Sequence, residues 1–149
     1  MKKRIILFLI MCSVILTGCI KNDYQTEEKS KNEKSDLNMT EIKVIIEDKT
    51  YKLNLENNQT AKEFVNILPQ EYMMKELNGN EKYVYINESL TTNPYKPNHI
   101  EKGDIMLYGE DCIVIFYKSF DTNYSYTKIG HIENLPHLGE ENIKIAFEG

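Results

Sequence analysis

The chain has 149 residues, of which 23 are acidic and 18 are basic, so its formal net charge at pH 7 is −5. An acidic chain repels phosphate backbones and anionic lipid surfaces, which argues against nucleic acid as a partner. The length allows one modest folded domain and is too short for two domains of ordinary size.

The first eighteen residues predict a targeting signal. Three basic residues at positions 2–4 precede an apolar run at 5–16, which is too short to span a membrane as a permanent helix. The quartet Leu16-Thr17-Gly18-Cys19 then resembles the bacterial lipoprotein signal, in which the cysteine thiol receives a diacylglyceryl group and the peptide is cut before it. We therefore predict a signal peptide over 1–18 and lipidation of Cys19. An ordinary secretory signal and an uncut N-terminal anchor are the alternatives.

Lipidation of Cys19 would decide where the mature protein resides. Two or three acyl chains on one residue anchor a protein stably, whereas a single chain does not. Cleavage removes three positive charges and no acid, so the net charge falls from −5 to −8 and a basic patch cannot supply the attachment. We expect a protein held by lipid on the extracytoplasmic side of the cell membrane. Residues 19–40 are rich in Lys, Glu, Asn and Ser and predict a solvated, flexible tether.

Residues 41–149 are predicted to form the folded domain, because apolar residues recur there at the two-residue spacing of strands. Runs at 41–46 and 50–55 flank a polar turn and indicate a hairpin with one buried face. Two further strands flank Gly109-Glu110-Asp111, and the strand after them ends at Gly130-His131-Ile132. Other strand patterns lie at 72–77, 81–86 and 142–147, the first two joined by the turn signal Asn78-Gly79-Asn80.

One short helix is predicted after the first hairpin. Thr60-Ala61-Lys62-Glu63 has the pattern of a capping box, in which the Thr and Glu side chains each bond the other residue's amide. Apolar residues at helical spacing between 61 and 68 form one stripe that can lie on a sheet, and Pro69 ends the helix.

The domain is therefore predicted to be mainly β, with seven or eight short strands and one or two small helices. Closure into a barrel is one way for such a chain to remove exposed sheet edges. The pattern alone does not separate a barrel from a sandwich.

Several segments of this domain resemble the bacterial cyclophilin-like fold proteins. They are Leu77–Tyr83, Gly103–Gly109, Phe116–Phe120, Tyr124–Thr127 and Ile129–Gly130. The resemblance covers nearly all of residues 41–148. It implies a closed, mostly antiparallel, eight-stranded β-barrel with one or two short helices.

The same resemblance raises the question of catalysis, because cyclophilins are peptidyl-prolyl isomerases. Their rate depends on an arginine that stabilises the twisted amide. The one arginine in this chain is Arg4, which leaves with the signal peptide, and lysine lacks the planar fork of donors that arginine offers. We therefore assign no catalytic residue and predict non-catalytic binding. A weak prolyl isomerase acting on exported proteins is the alternative.

Ten tyrosines, five phenylalanines and no tryptophan are an unusual aromatic composition. Tyrosines often line barrel walls with the hydroxyl at the rim, and that reading needs no ligand. The functional reading is an aromatic groove for a peptide, a protein segment or a small molecule. The candidate groove residues are Tyr83, Tyr85, Tyr108, Tyr117, Phe120, Tyr124 and Tyr126. A third reading, an accessory subunit of an envelope complex, predicts an exposed apolar patch outside the barrel mouth.

Other reactive side chains give weaker signals. Cys112 is the one cysteine left after cleavage and acylation, and it lies in an apolar strand pattern typical of a small buried hydrophobe. The histidines His99, His131 and His137 lack the spacing of a zinc pair. We therefore predict no metal site and no cofactor.

Overall fold

The computed structural model describes residues 40–149. The predicted signal peptide, Cys19 and nearly all of the tether lie outside the described residues. Within the described range the elements are β1 Glu41–Ile46, β2 Lys49–Leu55, α1 Gln59–Asn66, β3 Gln70–Leu77, β4 Glu81–Tyr85, β5 His99–Ile100, β6 Asp104–Tyr108, β7 Cys112–Phe116, β8 Phe120–Asp121, β9 Thr127–Ile132 and β10 Ile143–Glu148.

Eight of these strands close into a barrel in the order β1-β10-β3-β4-β7-β6-β9-β2, and every pairing is antiparallel. Closure occurs where the first strand meets the last, with Val44 opposite Phe147. Each barrel strand thus has two neighbours and no free edge to pair with another chain. The short strands β5 and β8 form a separate two-stranded sheet. The prediction of a closed, mainly β, eight-stranded barrel is confirmed, with one short helix.

The turns follow the local chemistry of the sequence. Glu47 and Asp48 both take positive φ, at 49° and 64°, in the turn between β1 and β2. Asn78 and Gly79 do so between β3 and β4, at 58° and 68°. Gly109 has φ 64° between β6 and β7. All three predicted turns are therefore confirmed.

The barrel interior holds the main core, to which all eight barrel strands and α1 contribute. In β7 the side chains alternate: Ile113 and Ile115 lie in this core, whereas Cys112, Val114 and Phe116 lie on the outer face. The outer face is itself covered by a smaller apolar cluster, so all five residues of β7 are buried. This double burial explains a strand with no polar interruption.

The start of α1 differs from the prediction, and the predicted capping box is wrong. The N-cap is Asn58, whose Oδ1 accepts the N–H of Ala61 at 2.8 Å. Thr60 instead donates its hydroxyl to the Thr91 carbonyl at 2.6 Å. The Glu63 carboxylate accepts the N–H and the hydroxyl of Thr91 at 2.6 and 2.8 Å, which lowers the pKa of Glu63. The side chains of Thr60 and Glu63 therefore hold the loop after β4 against the helix.

A lysine lies inside the barrel. Lys82 is fully buried, and its ammonium group donates to the carbonyls of Gly139 and Glu141 at 2.9 and 2.7 Å. The same nitrogen lies 5.0 Å from the ring centre of Tyr117. Burial lowers the pKa of Lys82, and neighbouring carboxylates oppose that shift. Lys82 thereby ties β4 to the segment that leads into β10.

The helical content of the domain is small. No helix within residues 40–149 combines the length and the apolar character needed to cross a membrane.

Candidate functional site

A hollow lies on the outer face of the barrel, where β4 runs beside β7. Alternation along β4 turns Glu81, Tyr83 and Tyr85 outward, because Lys82 between them points into the barrel. Antiparallel pairing sets Tyr83 opposite Val114 of β7. The rings of Tyr83 and Tyr85 meet edge to face, with centroids 6.0 Å apart. The outer face of β4 thus forms one aromatic wall.

The facing wall comes from the end of β6 and from the segment between β8 and β9. Tyr108 lies 5.7 Å from Tyr126 and 6.3 Å from Tyr124, measured between ring centroids. The backbone of Tyr126 exchanges two hydrogen bonds with Tyr95, at 2.9 and 3.0 Å. This bridge holds the segment against the barrel, so the rings are positioned by backbone pairing as well as by packing.

Between the two walls lies a hollow of about 290 Å³, which we call the aromatic groove. Its floor is apolar and buried, while the outer tyrosines are exposed, Tyr85 by 62% and Tyr124 by 64%. The lining residues are Leu77, Asn78, Glu81, Tyr83, Tyr85, Tyr108, Cys112, Val114, Tyr124 and Tyr126. The groove therefore offers an apolar floor and a hydroxyl-bearing rim, which is the usual composition of a ligand site.

A second hollow adjoins the aromatic groove, and we call it the side hollow. Its volume is about 350 Å³, and it shares four residues with the groove. The shared residues are Asn78, Glu81, Tyr124 and Tyr126. Phe120 and Asp121 are among the residues that the side hollow adds. Glu81 thus lies at the junction of the two hollows.

The structure brings six of the seven aromatic candidates to these hollows. Five line the aromatic groove itself: Tyr83, Tyr85, Tyr108, Tyr124 and Tyr126. Phe120 lines the side hollow, and its ring lies 5.6 Å from that of Phe116 in the outer cluster.

Tyr117 is the exception, because it belongs to the barrel core. It is 1% exposed and donates its hydroxyl to Glu76 at 3.2 Å. Burial raises its pKa to about 12. The ring of the preceding residue, Phe116, faces outward, so alternation carries Tyr117 inward. The strand period was the signal that would have separated it from the other tyrosines.

Comparison with known proteins identifies the domain. The model of the Cyclophilin-like family matches residues 44–148. The chain belongs to the cyclophilin-like family. No curated protein and no solved structure matches it. The resemblance seen in the sequence is thus confirmed for the domain, and the match does not extend to the N-terminal segment.

Glu81 is the charged residue of the groove that the sequence reasoning missed. Only 9% of it is exposed, although it is a carboxylate at the start of a strand. Burial raises its pKa, the Glu76 charge raises it further, and a hydrogen bond from Asn78 opposes both effects. An acidic residue after a turn is usually solvated, so only its register with Tyr83 and Tyr85 could have indicated its position.

Cys112 lies on the groove floor as a protonated thiol. Burial raises its pKa to about 11, and the charges of Asp111 and Glu81 act in the same direction. A thiol with this pKa carries almost no thiolate near neutral pH and is a poor nucleophile. The prediction of a small buried hydrophobe is confirmed.

Two of the histidines in this cyclophilin-like domain contact carboxylates away from the aromatic groove. His131 Nδ1 lies 3.0 Å from Asp104 Oδ1, which also receives Lys128 Nζ at 3.2 Å. His99 Nδ1 lies 2.6 Å from Asp121, and that hydrogen bond raises the pKa of His99. Across residues 40–149, no group of three or more His, Cys, Asp or Glu side chains is arranged to hold a metal ion.

Proposed function

We propose that this protein binds a ligand non-catalytically through the aromatic groove, the ligand being a peptide, a protein segment or a small molecule. The observation that carries the proposal is the convergence of five tyrosines from β4, β6 and the segment before β9 on one hollow. Tyrosine rings offer apolar area with a polar end at low cost in side-chain entropy. Rings exposed to this degree around a buried floor are typical of a binding site.

The size of the hollow supports a small occupant. Its volume of about 290 Å³ is near the lower end for ligand pockets, which is roughly 300 Å³. A small molecule or one or two side chains of a peptide would fill it. The adjoining side hollow gives an extended ligand room to continue past Glu81.

The residues that line the groove favour binding over catalysis. None of them is a lysine or an arginine, so the groove supplies no cation to stabilise a twisted prolyl amide. The Cys112 thiol stays protonated, as its raised pKa requires. Weak prolyl isomerisation is retained as the alternative function because the domain belongs to the cyclophilin-like family.

Exchange NMR on a soluble chain beginning at residue 20 tests both functions. The buried core lies between Ile42 and Phe147, so this chain retains all of its packing. Uncatalysed prolyl isomerisation takes tens of seconds or longer, so catalysed exchange of Xaa-Pro peptides would stand out on the sub-second scale. Amide shifts at Tyr83 and Tyr124 without exchange peaks support non-catalytic binding. Exchange peaks support the isomerase.

A pair of variants locates the site. Tyr124→Ala removes an exposed ring from the groove wall, and Met73→Ala removes an exposed apolar side chain, 58% accessible, on β3 outside the groove. Weaker binding by Tyr124→Ala alone is the expected result. Equal affinity of both variants and the parent chain would show that ligands do not use the groove.

We further propose that Cys19 is lipidated and holds this domain on the extracytoplasmic side of the membrane. The basic start, the apolar run and the Leu16–Cys19 quartet support this. In a bacterial host, the full chain should incorporate labelled palmitate and sediment with membranes, and Cys19→Ser should do neither. Incorporation by Cys19→Ser equal to the parent would contradict the assignment.

A further inference from the structure

We infer that the occupant of the aromatic groove is a small organic ammonium ion, held against tyrosine rings with the Glu81 carboxylate as its counter-ion. This inference rests on the proposed function and adds the chemical class of the ligand. It combines two features of one hollow: aromatic walls on both sides and a buried carboxylate where the groove meets the side hollow.

The aromatic walls suit a cation. The Tyr83–Tyr85 pair and the Tyr108–Tyr124 pair stand on opposite sides of the groove, with interplanar angles of 84° and 89°. Rings at right angles to one another present both edges and faces to the space between the walls. The face of a tyrosine ring carries negative electrostatic potential and attracts an ammonium group within about 6 Å. A methylated ammonium ion also gains from the apolar floor, since its methyl groups are weakly hydrated.

The charged side chains that line the aromatic groove and the side hollow have one sign. The charged residues that line the two hollows are Glu81 and Asp121, and both are carboxylates. The nearest lysine in sequence, Lys82, is on the other side of the barrel wall and bonds carbonyls there. The ion pairs found within residues 40–149 do not include Glu81. Asp121 is already paired with His99, so Glu81 is the lining carboxylate that a cationic ligand would complement.

Several neighbours indicate that the Glu81 carboxylate faces the groove. Glu81 lines the groove together with Cys112 and Tyr126. Burial raises the pKa of Tyr126 to about 12 and that of Cys112 to about 11, and the Glu81 charge acts in the same direction on both. Glu76 on β3 is the other charge that acts on Glu81, and Asn78 donates a hydrogen bond to it. A carboxylate removed from water in this way is costly unless it is paired. A bound ammonium ion would supply a partner of opposite charge, which the Asn78 amide does not.

Binding of choline and of its neutral isostere 3,3-dimethylbutan-1-ol tests the inference. The two molecules differ in one atom and one charge, so a difference in affinity reports the charge. Amide shifts of the soluble chain beginning at residue 20 would be followed during titration with each compound. We expect choline to bind at least about tenfold more tightly than the alcohol, as one partly desolvated ion pair with cation–π contacts would give.

Matched variants assign the charge to Glu81. Glu81→Gln keeps the side-chain shape and should reduce the preference for choline at least about fivefold, whereas Asp48→Asn, in the exposed β1–β2 turn, should leave it unchanged. Tyr124→Leu is a second test, which does not require a substitution at the buried residue Glu81. It replaces an exposed ring with an apolar side chain and should weaken choline binding about threefold.

The outcomes separate this inference from the proposed function. Equal binding of choline and the alcohol, or an unchanged preference in Glu81→Gln, overturns the ammonium assignment and leaves a groove that binds neutral ligands. Binding of a trimethyl-lysine peptide without binding of choline overturns the small-molecule assignment in favour of a peptide. If no compound, including the Xaa-Pro peptides, shifts the groove resonances, both the inference and the proposed function fail.

Discussion

Glu81 and Lys82 are adjacent in sequence and face opposite sides of the barrel wall. Glu81 lies at the junction of the two outer hollows, whereas Lys82 is fully buried inside the barrel and bonds the carbonyls of Gly139 and Glu141. The two opposite charges therefore lie on opposite faces of β4 and do not pair with each other. Each side chain therefore depends on other partners. Removing the charge of Glu81 and removing that of Lys82 should have different consequences.

Removing the ammonium group of Lys82 should destabilise the fold. Lys82→Met keeps the apolar stem and leaves the carbonyls of Gly139 and Glu141 without their donor. We expect the free energy of unfolding in urea to fall by about 1–3 kcal/mol, the usual cost of leaving a buried acceptor without its donor. Lys144→Met, at an exposed ion pair with Glu71, is the control and should change it by less than about 0.5 kcal/mol. Equal effects of the two substitutions would contradict the buried role.

Neutralising Glu81 should change how stability depends on pH. Burial raises the pKa of Glu81 in the folded state above the unfolded value of 4.5, so the folded protein favours the protonated form. Stability from this group is fully present below pH 4.5 and is lost as the pH rises through the folded pKa. Glu81→Gln removes that dependence. The difference in free energy of unfolding, variant minus parent, should therefore increase from pH 4.5 to neutrality.

Urea denaturation of both chains at several pH values measures this difference. The Glu76 charge adds to the burial that raises the pKa of Glu81, so Glu76→Gln should make this pH dependence smaller. A difference between Glu81→Gln and the parent that stays constant across this range would show that Glu81 is solvated in the folded state.

Gly130 is required for the close approach of β9 to β2. It lies opposite Leu55, and a Cβ at this position would overlap the Asn54 carbonyl oxygen and press on the Leu53 side chain. We expect Gly130→Ala to lower the free energy of unfolding by about 3 kcal/mol, because backbone atoms cannot move aside without breaking the pairing.

Gly109→Ala is the matched control for Gly130→Ala. Gly109 has positive φ, but a Cβ there would meet nothing within 4 Å. Its substitution should cost only the left-handed backbone penalty, about 1 kcal/mol. Thermal or urea unfolding of the two variants compares them directly, and a larger loss at Gly109 would mean that the steric argument is incorrect.

The start of α1 gives a fourth prediction. Asn58 accepts the Ala61 N–H and donates its amide to the Lys128 carbonyl at 2.8 Å. Asn58→Ala removes both bonds and should lower the free energy of unfolding by about 1–2 kcal/mol. Asn57→Ala, at the exposed neighbouring position, should have little effect. Equal losses of stability in Asn57→Ala and Asn58→Ala would show that Asn58 is not the cap.

The sequence by itself determined the local elements of the domain. Turn residues that tolerate positive φ and apolar residues at period two specify the hairpins, because both effects act between residues close in the chain. The same alternation was enough to put Tyr83 and Tyr85 on one face. The matching family segments then added the barrel topology, which periodicity had left open between barrel and sandwich.

Only the tertiary structure decided which polar residues are buried and which aromatic residues meet. Glu81 and Lys82 have ordinary local contexts, and their burial follows from the barrel wall and from the segment around Gly139. Asn58 is the N-cap in place of Thr60 because Thr91, distant in sequence, forms hydrogen bonds with both Thr60 and Glu63 of the predicted capping box. Contacts of this kind join residues far apart in the chain, and local patterns do not encode them.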